Sequence, residues 1–116
     1  MRKRSDREFL LDIKEACERI LKFVEGMDYD EFANDEKTQD AVLRNIEIIG
    51  EAVKNLSEEI KTKYQDIEWK KISGMRDRLI HFYFGVNLDI VWDVARNKIS
   101  ELLEKVSRII SSEYSP

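Results

Sequence analysis

A short stretch of the chain, GMRDRLIHFYF at residues 74–84, brings together residue types that acid–base chemistry uses. Arg76 is a permanent cation, His81 is the only histidine of the sequence, and Tyr83 carries a phenol. Histidine titrates near neutral pH, so it can exchange a proton under ordinary conditions. Two interpretations fit the pattern. The stretch is either a reactive centre or a packing helix, in which His81 bonds a backbone carbonyl and the flanking phenylalanines fill the core.

Helical geometry determines which of these side chains can meet. On an ideal helix Asp77 and Arg78 lie one turn before His81 and share its face, where Asp77 would orient the imidazole. Arg76 and His81 are five residues apart and therefore about 140° apart around the helix axis. A site that uses both needs a long side-chain reach, a bend near the helix end, or a second copy of the helix. The spacing therefore favours a site at a dimer seam.

The composition describes a mildly acidic chain of 116 residues, of which 42% are hydrophobic and 38% charged, with a formal net charge of −4. This length and apolar content suit one compact domain over residues 1–116. The net charge provides no overall positive field, so contact with nucleic acid requires a local basic patch. Cys17 is the only cysteine, which fits a reducing cytoplasm, and its place beside an apolar stripe predicts an inert core thiol. No apolar run reaches the ~20 residues that span a bilayer, so no membrane contact is expected.

Metal and cofactor sites need ligand sets that this sequence does not contain. One histidine and one cysteine cannot form a zinc set. The four glycines are too widely spaced for a phosphate-binding loop. We therefore expect no metal and no cofactor.

Apolar residues recur every three or four positions, which predicts amphipathic helices joined by short connections. Capping residues and glycines mark their ends. The predicted segments are a helix from Ser5, which forms a capping box with Glu8, to Gly26; a short turn from Asp28 through Phe32; a helix over 35–55; a brief helix from Ser57 to Tyr64; a helix over 67–84 that stops at Gly85; and a last helix capped by Asn87. They predict an all-α, up-and-down four-helix-type bundle with an extra short helix.

The last predicted helix carries a long apolar stripe that is open to two interpretations. A bundle of this size has little spare core to cover it, so a homodimer packed along the stripe is one interpretation. The other is that the stripe belongs to the core of a single chain. Its members are Val91, Ala95, Ile99, Leu102, Val106 and Ile109.

The stretch at residues 74–84 has the form R-x-x-x-x-H-x-Y, with Asp77 directly after the arginine. This form resembles the signature of HEPN-domain toxins of the HepT type, the partners of MNT-type minimal nucleotidyltransferases. The likeness covers almost the whole chain, with Glu68 as a departure, since relatives commonly have proline before the tryptophan. The segments that resemble the family are REFLLDIKEACERI (7–20), RNIEIIGEAVKNLS (44–57) and IEWKKISGMRDRLIHFYFGVNLDIVWDV (67–94).

The resemblance implies a homodimeric helical domain in which two signature segments line a shared cleft. It implies a metal-independent endoribonuclease toxin, with Arg76 and His81 as catalytic residues and Asp77 and Arg78 in support. Cleavage through the RNA 2′-hydroxyl fits these residues, because His81 exchanges protons near neutral pH and Arg76 binds developing negative charge. Two copies of Arg76 and Arg78 would form the local basic cleft. Tyr83 would accept AMP from the cognate nucleotidyltransferase antitoxin, and the added anions would block that cleft.

A second interpretation belongs to a different functional class. The chain would be a non-catalytic helical module that binds nucleotides or its partner protein within a nucleotidyltransferase complex. A neighbouring nucleotidyltransferase gene would support the toxin–antitoxin pair without separating catalysis from binding. RNA cleavage by the wild type and by His81→Ala, measured without metal, separates the two interpretations.

Overall fold

Helices account for most of the chain. The computed structural model describes residues 4–80 and 87–114, except for the side chains of Arg76 and Ile80. Within these ranges there is no strand, and the predicted all-α bundle is confirmed. None of the described helices is long and apolar enough to cross a membrane. The elements are α1 (Asp6–Phe23), α2 (Tyr29–Ala33), α3 (Glu36–Asn55), α4 (Glu58–Lys63), α5 (Trp69–Ile80), α6 (Leu88–Asp93), a π-helical turn (Val94–Lys98) and α7 (Ile99–Tyr114).

Side-chain caps start the helices where the sequence predicts them. The Ser5 hydroxyl accepts a hydrogen bond from the backbone N–H of Glu8 at 3.3 Å, which satisfies one of the free donors at the start of α1. Ser57 caps α4 in the same way, and Asn87 caps α6. Gly26 has a φ of 75°, a left-handed conformation that side-chain-bearing residues rarely adopt, and it turns the chain after α1.

The long helices pack side by side in the order α7, α1, α3, α5. The apolar stripe of the last predicted helix is buried within this single chain, since all its members are at most 7% exposed. The stripe is therefore internal core, and the alternative that it forms the seam of a dimer is wrong. A dimer must use another surface.

The last helix is interrupted, which the sequence did not predict. A single helix from Asn87 was expected, but the π-helical turn Val94–Lys98 separates α6 from α7. Val91, Ala95 and Ile99 are each four residues apart. In an α-helix four residues make slightly more than one turn, so each successive side chain would point about 40° further around the helix axis. A wider π turn absorbs this rotation, and all three side chains remain buried.

The helix predicted over residues 67–84 begins later than expected. It starts at Trp69, because residues 64–69 form tight turns. The N–H of Ile67 donates to the carbonyl of Tyr64 at 3.4 Å, and the N–H of Trp69 donates to the carbonyl of Ile67 at 2.9 Å. Ile67 is buried within this connection. The predicted end at Phe84 and the stop at Gly85 lie outside the described residues.

Candidate functional site

Three of the five predicted site residues belong to α5. Arg76, Asp77 and Arg78 lie in its second half, and the side chains of Asp77 and Arg78 are exposed. His81 and Tyr83 lie outside the described residues, as does the side chain of Arg76. The structure therefore confirms the helix that carries the first three residues, while the arrangement of the five remains a prediction.

The start of α5 is fixed by its tryptophan. Trp69 is only 6% exposed, and its indole N–H donates to the backbone carbonyl of Tyr64 at 3.0 Å. A buried indole needs such a partner, and this bond ties the first turn of α5 to the end of α4. At the other end Leu79 is buried in the core. Both contacts hold α5 against the bundle, where it packs on α3.

A cluster around Glu113 on α7 holds the connection that precedes α5. The Glu113 carboxylate pairs with Lys63 at 2.7 Å and accepts a short hydrogen bond from the Tyr64 hydroxyl. The bond from Lys63, and to a smaller extent the bond from Tyr64, lowers the pKa of Glu113. The Glu113 carboxylate in turn raises the pKa of Lys63. The Lys105 amine donates to the carbonyl of Asp66 at 3.1 Å in the same connection. The position of α5 therefore depends on α7 as well as on α3.

An open groove of about 680 Å³ separates α5 from α6, the π-helical turn and α7. We call it the α5–α7 groove. Leu79 and Asn87, which lie on either side of the undescribed segment 81–86, both line it. Ile90 is 50% exposed on its edge. The apolar residues that the structure describes along the α5–α7 groove are Ile67, Ile72, Met75, Leu79, Ile90, Val94, Ile99 and Leu102.

Sequence reasoning missed a cluster of cations on the solvent side of α4 and α5. They line an open depression of about 740 Å³, in which Glu68 is the one carboxylate among the described lining residues. We call these four residues the basic face: Lys61, Lys70, Lys71 and Arg78. The signal was available in the sequence, because Lys70, Gly74 and Arg78 follow one another at helical spacing.

Two other polar groups carry no chemistry. Cys17 is fully buried, and desolvation raises the pKa of its thiol to about 12, so the predicted inert core thiol is confirmed. Asn45 is 5% exposed, and its amide N–H donates to the carbonyl of Ala41 at 2.8 Å. The Oδ1 atom of Asn45 has no hydrogen-bond partner within the described part of the chain. The described residues contain no group of three His, Cys, Asp or Glu side chains that would hold a metal ion.

Known proteins resemble this chain over nearly its full length. The sequence profile of the Ribonuclease HepT-like family matches residues 13–109. A Methanocaldococcus jannaschii protein named as a candidate RNase is 46% identical over 110 residues, which cover 95% of this chain and 91% of that protein. A Caldanaerobacter subterraneus subsp. tengcongensis protein with the same kind of name is 42% identical, covering 95% and 98%. A Thermococcus cleftensis protein named as a candidate ribonuclease HepT is 41% identical, covering 92% and 97%. No solved structure gives a significant match.

The Glu113 cluster predicts a pH-dependent contribution to stability. A carboxylate whose pKa is lowered in the folded state stabilises the protein above its unfolded pKa, about 4.3 for glutamate, and loses this effect as pH falls. Glu113→Gln should therefore lower the melting temperature at pH 7, and the difference from wild type should shrink below about pH 4. Thermal unfolding followed by circular dichroism between pH 3 and pH 8 measures this.

The matched control is Glu104→Gln, which removes a carboxylate from an exposed pair with Arg108 on the same helix. Exposed pairs contribute little, so this variant should melt close to wild type at every pH. Identical melting curves for wild type and Glu113→Gln across the range would contradict the role given to the cluster.

Proposed function

Because the chain belongs to the HepT-like ribonuclease family, we propose that it is an endoribonuclease and the toxin of a toxin–antitoxin pair. The observation that carries the proposal is the family match over residues 13–109, which includes all five predicted site residues. The relatives named as RNases support it along most of the chain. We infer that residues 1–116 form one HEPN-like domain with this activity.

The proposed reaction is transesterification at an RNA phosphate. The 2′-oxygen attacks the adjacent phosphorus, a new P–O bond forms, and the bond to the 5′-oxygen of the next nucleotide breaks. His81 takes the proton of the 2′-hydroxyl and then, as the imidazolium, gives it to the leaving 5′-oxygen, since both transfers suit an imidazole near neutral pH. Arg76 binds the phosphate oxygens while negative charge develops. In this scheme the protein's own side chains perform each step, so the reaction proceeds without a metal.

The helical spacing supports a site shared between two chains. Arg76 and His81 differ by about 140° if the helix continues through position 81, so one straight helix does not bring their tips together. In a symmetric dimer, Arg76 of one protomer meets His81 of its partner, and the two-fold axis generates a second identical site. Asp77, exposed on α5, would orient the imidazole in this arrangement.

The α5–α7 groove is the surface that we assign to the dimer. Its apolar floor continues to Ile90, an exposed isoleucine at its edge. The charged residues that the structure describes along its lining are balanced, so two copies can face each other without net repulsion. The cations are Lys71, Arg78, Lys98 and Lys105, and the carboxylates are Asp66, Glu68, Asp93 and Glu101.

The partner that neutralises the toxin is an MNT-type nucleotidyltransferase, and Tyr83 is its acceptor. The phenol oxygen of Tyr83 attacks the α-phosphorus of ATP, a P–O bond to AMP forms, pyrophosphate leaves, and the phenol proton passes to a base or to water. The new phosphodiester adds one negative charge beside the cations of the site. It would occupy the cleft and repel the RNA phosphates.

The catalytic assignment predicts the effect of removing each group. Arg76→Ala and His81→Ala should each reduce RNA cleavage by about 10²–10⁴-fold, because each removes a group that acts on the reacting phosphate. Asp77→Asn should reduce it less, since it acts through the orientation of His81. Cleavage is measured with EDTA present, and the products should end in 2′,3′-cyclic phosphate and 5′-hydroxyl groups. A His81→Ala protein with unchanged circular dichroism and wild-type cleavage would favour a binding module over an enzyme.

The dimer assignment predicts a monomeric variant. Ile90→Glu places a charge on the apolar edge of the α5–α7 groove and should shift the wild-type dimer to a monomer in sedimentation velocity at micromolar concentration. The matched control is Phe23→Glu, because Phe23 is 41% exposed on α1 outside the groove. The assignment is wrong if both variants sediment alike, or if the wild type is itself monomeric.

The acceptor assignment predicts a toxin that escapes its antitoxin. Tyr83→Phe removes only the hydroxyl, so the fold and RNA cleavage should persist. With ATP and the cognate nucleotidyltransferase, the wild type should gain mass in steps of one AMP, and Tyr83→Phe should gain none. Intact-protein mass spectrometry followed by the cleavage assay measures both. If Tyr83→Phe is modified and silenced like wild type, another residue is the acceptor.

A further inference from the structure

The basic face is a local concentration of cations on an acidic protein. The chain has a net charge of −4, yet four cations surround the depression on α4 and α5. Two of the four are paired with carboxylates, Lys71 with Glu68 at 3.5 Å and Lys61 with Glu58 at 4.0 Å. Lys70 and Arg78 are exposed, and neither pairs with a carboxylate in the part of the chain that the structure describes. This face therefore keeps an unbalanced positive charge, unlike the balanced α5–α7 groove.

Gly74 lies in the middle of the basic face and is not explained by packing inside the chain. Glycine is less favourable than alanine in a helix interior, and α5 continues on both sides of it. A Cβ atom built at Gly74 would meet no heavy atom within 4 Å, so alanine would fit without a clash. A missing side chain between cations lets a backbone approach α5 closely from outside.

We propose that the basic face, with Gly74 at its centre, binds the sugar–phosphate backbone of single-stranded RNA and leads it to the signature residues. The inference rests on the proposed ribonuclease function and extends its substrate site along α5. Charge complementarity selects the occupant, because RNA carries a negative charge at every phosphate. A second copy of the chain would instead oppose like charges across an isologous contact.

The geometry also indicates how the RNA is bound. Lys70 and Arg78 are eight residues apart, so the face extends for about 12 Å along the helix axis. It therefore extends from the signature end of α5 toward its first turn. Trp69, the aromatic residue among the described lining residues, is buried and cannot stack on a base. Binding here should consequently depend on salt and on RNA length, and should not depend on base sequence.

The test compares two double variants with equal loss of charge in the His81→Ala background, which keeps the RNA uncut. Lys61→Gln with Lys70→Gln removes two cations of the basic face that lie outside the α5–α7 groove, whereas Lys22→Gln with Lys54→Gln removes two exposed lysines on α1 and α3. Fluorescence anisotropy with a labelled 20-nucleotide RNA should show about tenfold weaker binding for the first pair only. Its slope of log Kd against log salt should fall by about 0.7 for each lost phosphate contact.

Gly74→Ala in the same background is the second variant. It should keep or raise the melting temperature, because alanine favours the helix and meets no clash. It should nevertheless weaken RNA binding. Equal affinities and equal salt slopes for the two lysine pairs would overturn the proposal. So would a change in oligomeric state with unchanged RNA binding in Lys61→Gln with Lys70→Gln, since the face would then contact protein.

Cleavage assays distinguish this proposal from the proposed function. In the catalytically intact background, Lys61→Gln with Lys70→Gln should raise KM for the 20-nucleotide RNA and leave cleavage of a dinucleotide unchanged, since the only phosphate of a dinucleotide is the one that is cut. If the wild type cuts no RNA but the double lysine variant still binds RNA more weakly, the proposed ribonuclease function is wrong and the proposal for the basic face is supported. If the wild type cuts both substrates and the lysine pair changes neither, the basic face fails alone.

Discussion

The candidate site depends on how α5 is held, because this helix carries Arg76, Asp77 and Arg78. Trp69 fixes its first turn through the carbonyl of Tyr64, and the hydroxyl of Tyr64 bonds Glu113 on α7. The helix then packs on α3. It is therefore rigidly placed along one side, while its other sides border the α5–α7 groove and the basic face. This combination suits the proposed function, in which the residues of α5 must be fixed and yet accessible to a partner chain and to RNA.

The two accessible surfaces differ in their distribution of charge. The α5–α7 groove combines an apolar floor with balanced charges, which suits a second copy of an acidic protein. The basic face concentrates cations around Gly74, which suits a phosphate backbone. Lys71 and Arg78 line both, so the two surfaces meet along α5. An acidic protein can bind RNA in this way, because the positive charge is local and the net charge acts only at longer range.

Much of the fold was predictable because local rules decide it. The caps at Ser5, Ser57 and Asn87 and the periodic apolar stripes fixed the helix starts and the core. The π-helical turn was not predictable from the same rules, since a stripe with steps of four also fits an uninterrupted helix. The sequence also left open whether the last apolar stripe is covered by its own chain or by a second copy, because this depends on how the helices pack. The α5 helix of the candidate site was predicted. The basic face was missed, because exposed lysines on a helix are normally interpreted as ordinary solvated surface.

The most direct test of the shared site is complementation between two inactive chains. Arg76→Ala and His81→Ala chains with different tags are coexpressed, and the heterodimer is purified through both tags. If Arg76 of one protomer works with His81 of its partner, the heterodimer contains one intact and one doubly damaged site. It should then cleave RNA at about half the wild-type rate, while both mutant homodimers remain inactive. A heterodimer as inactive as the homodimers, beside an active wild type, would contradict a site shared between protomers.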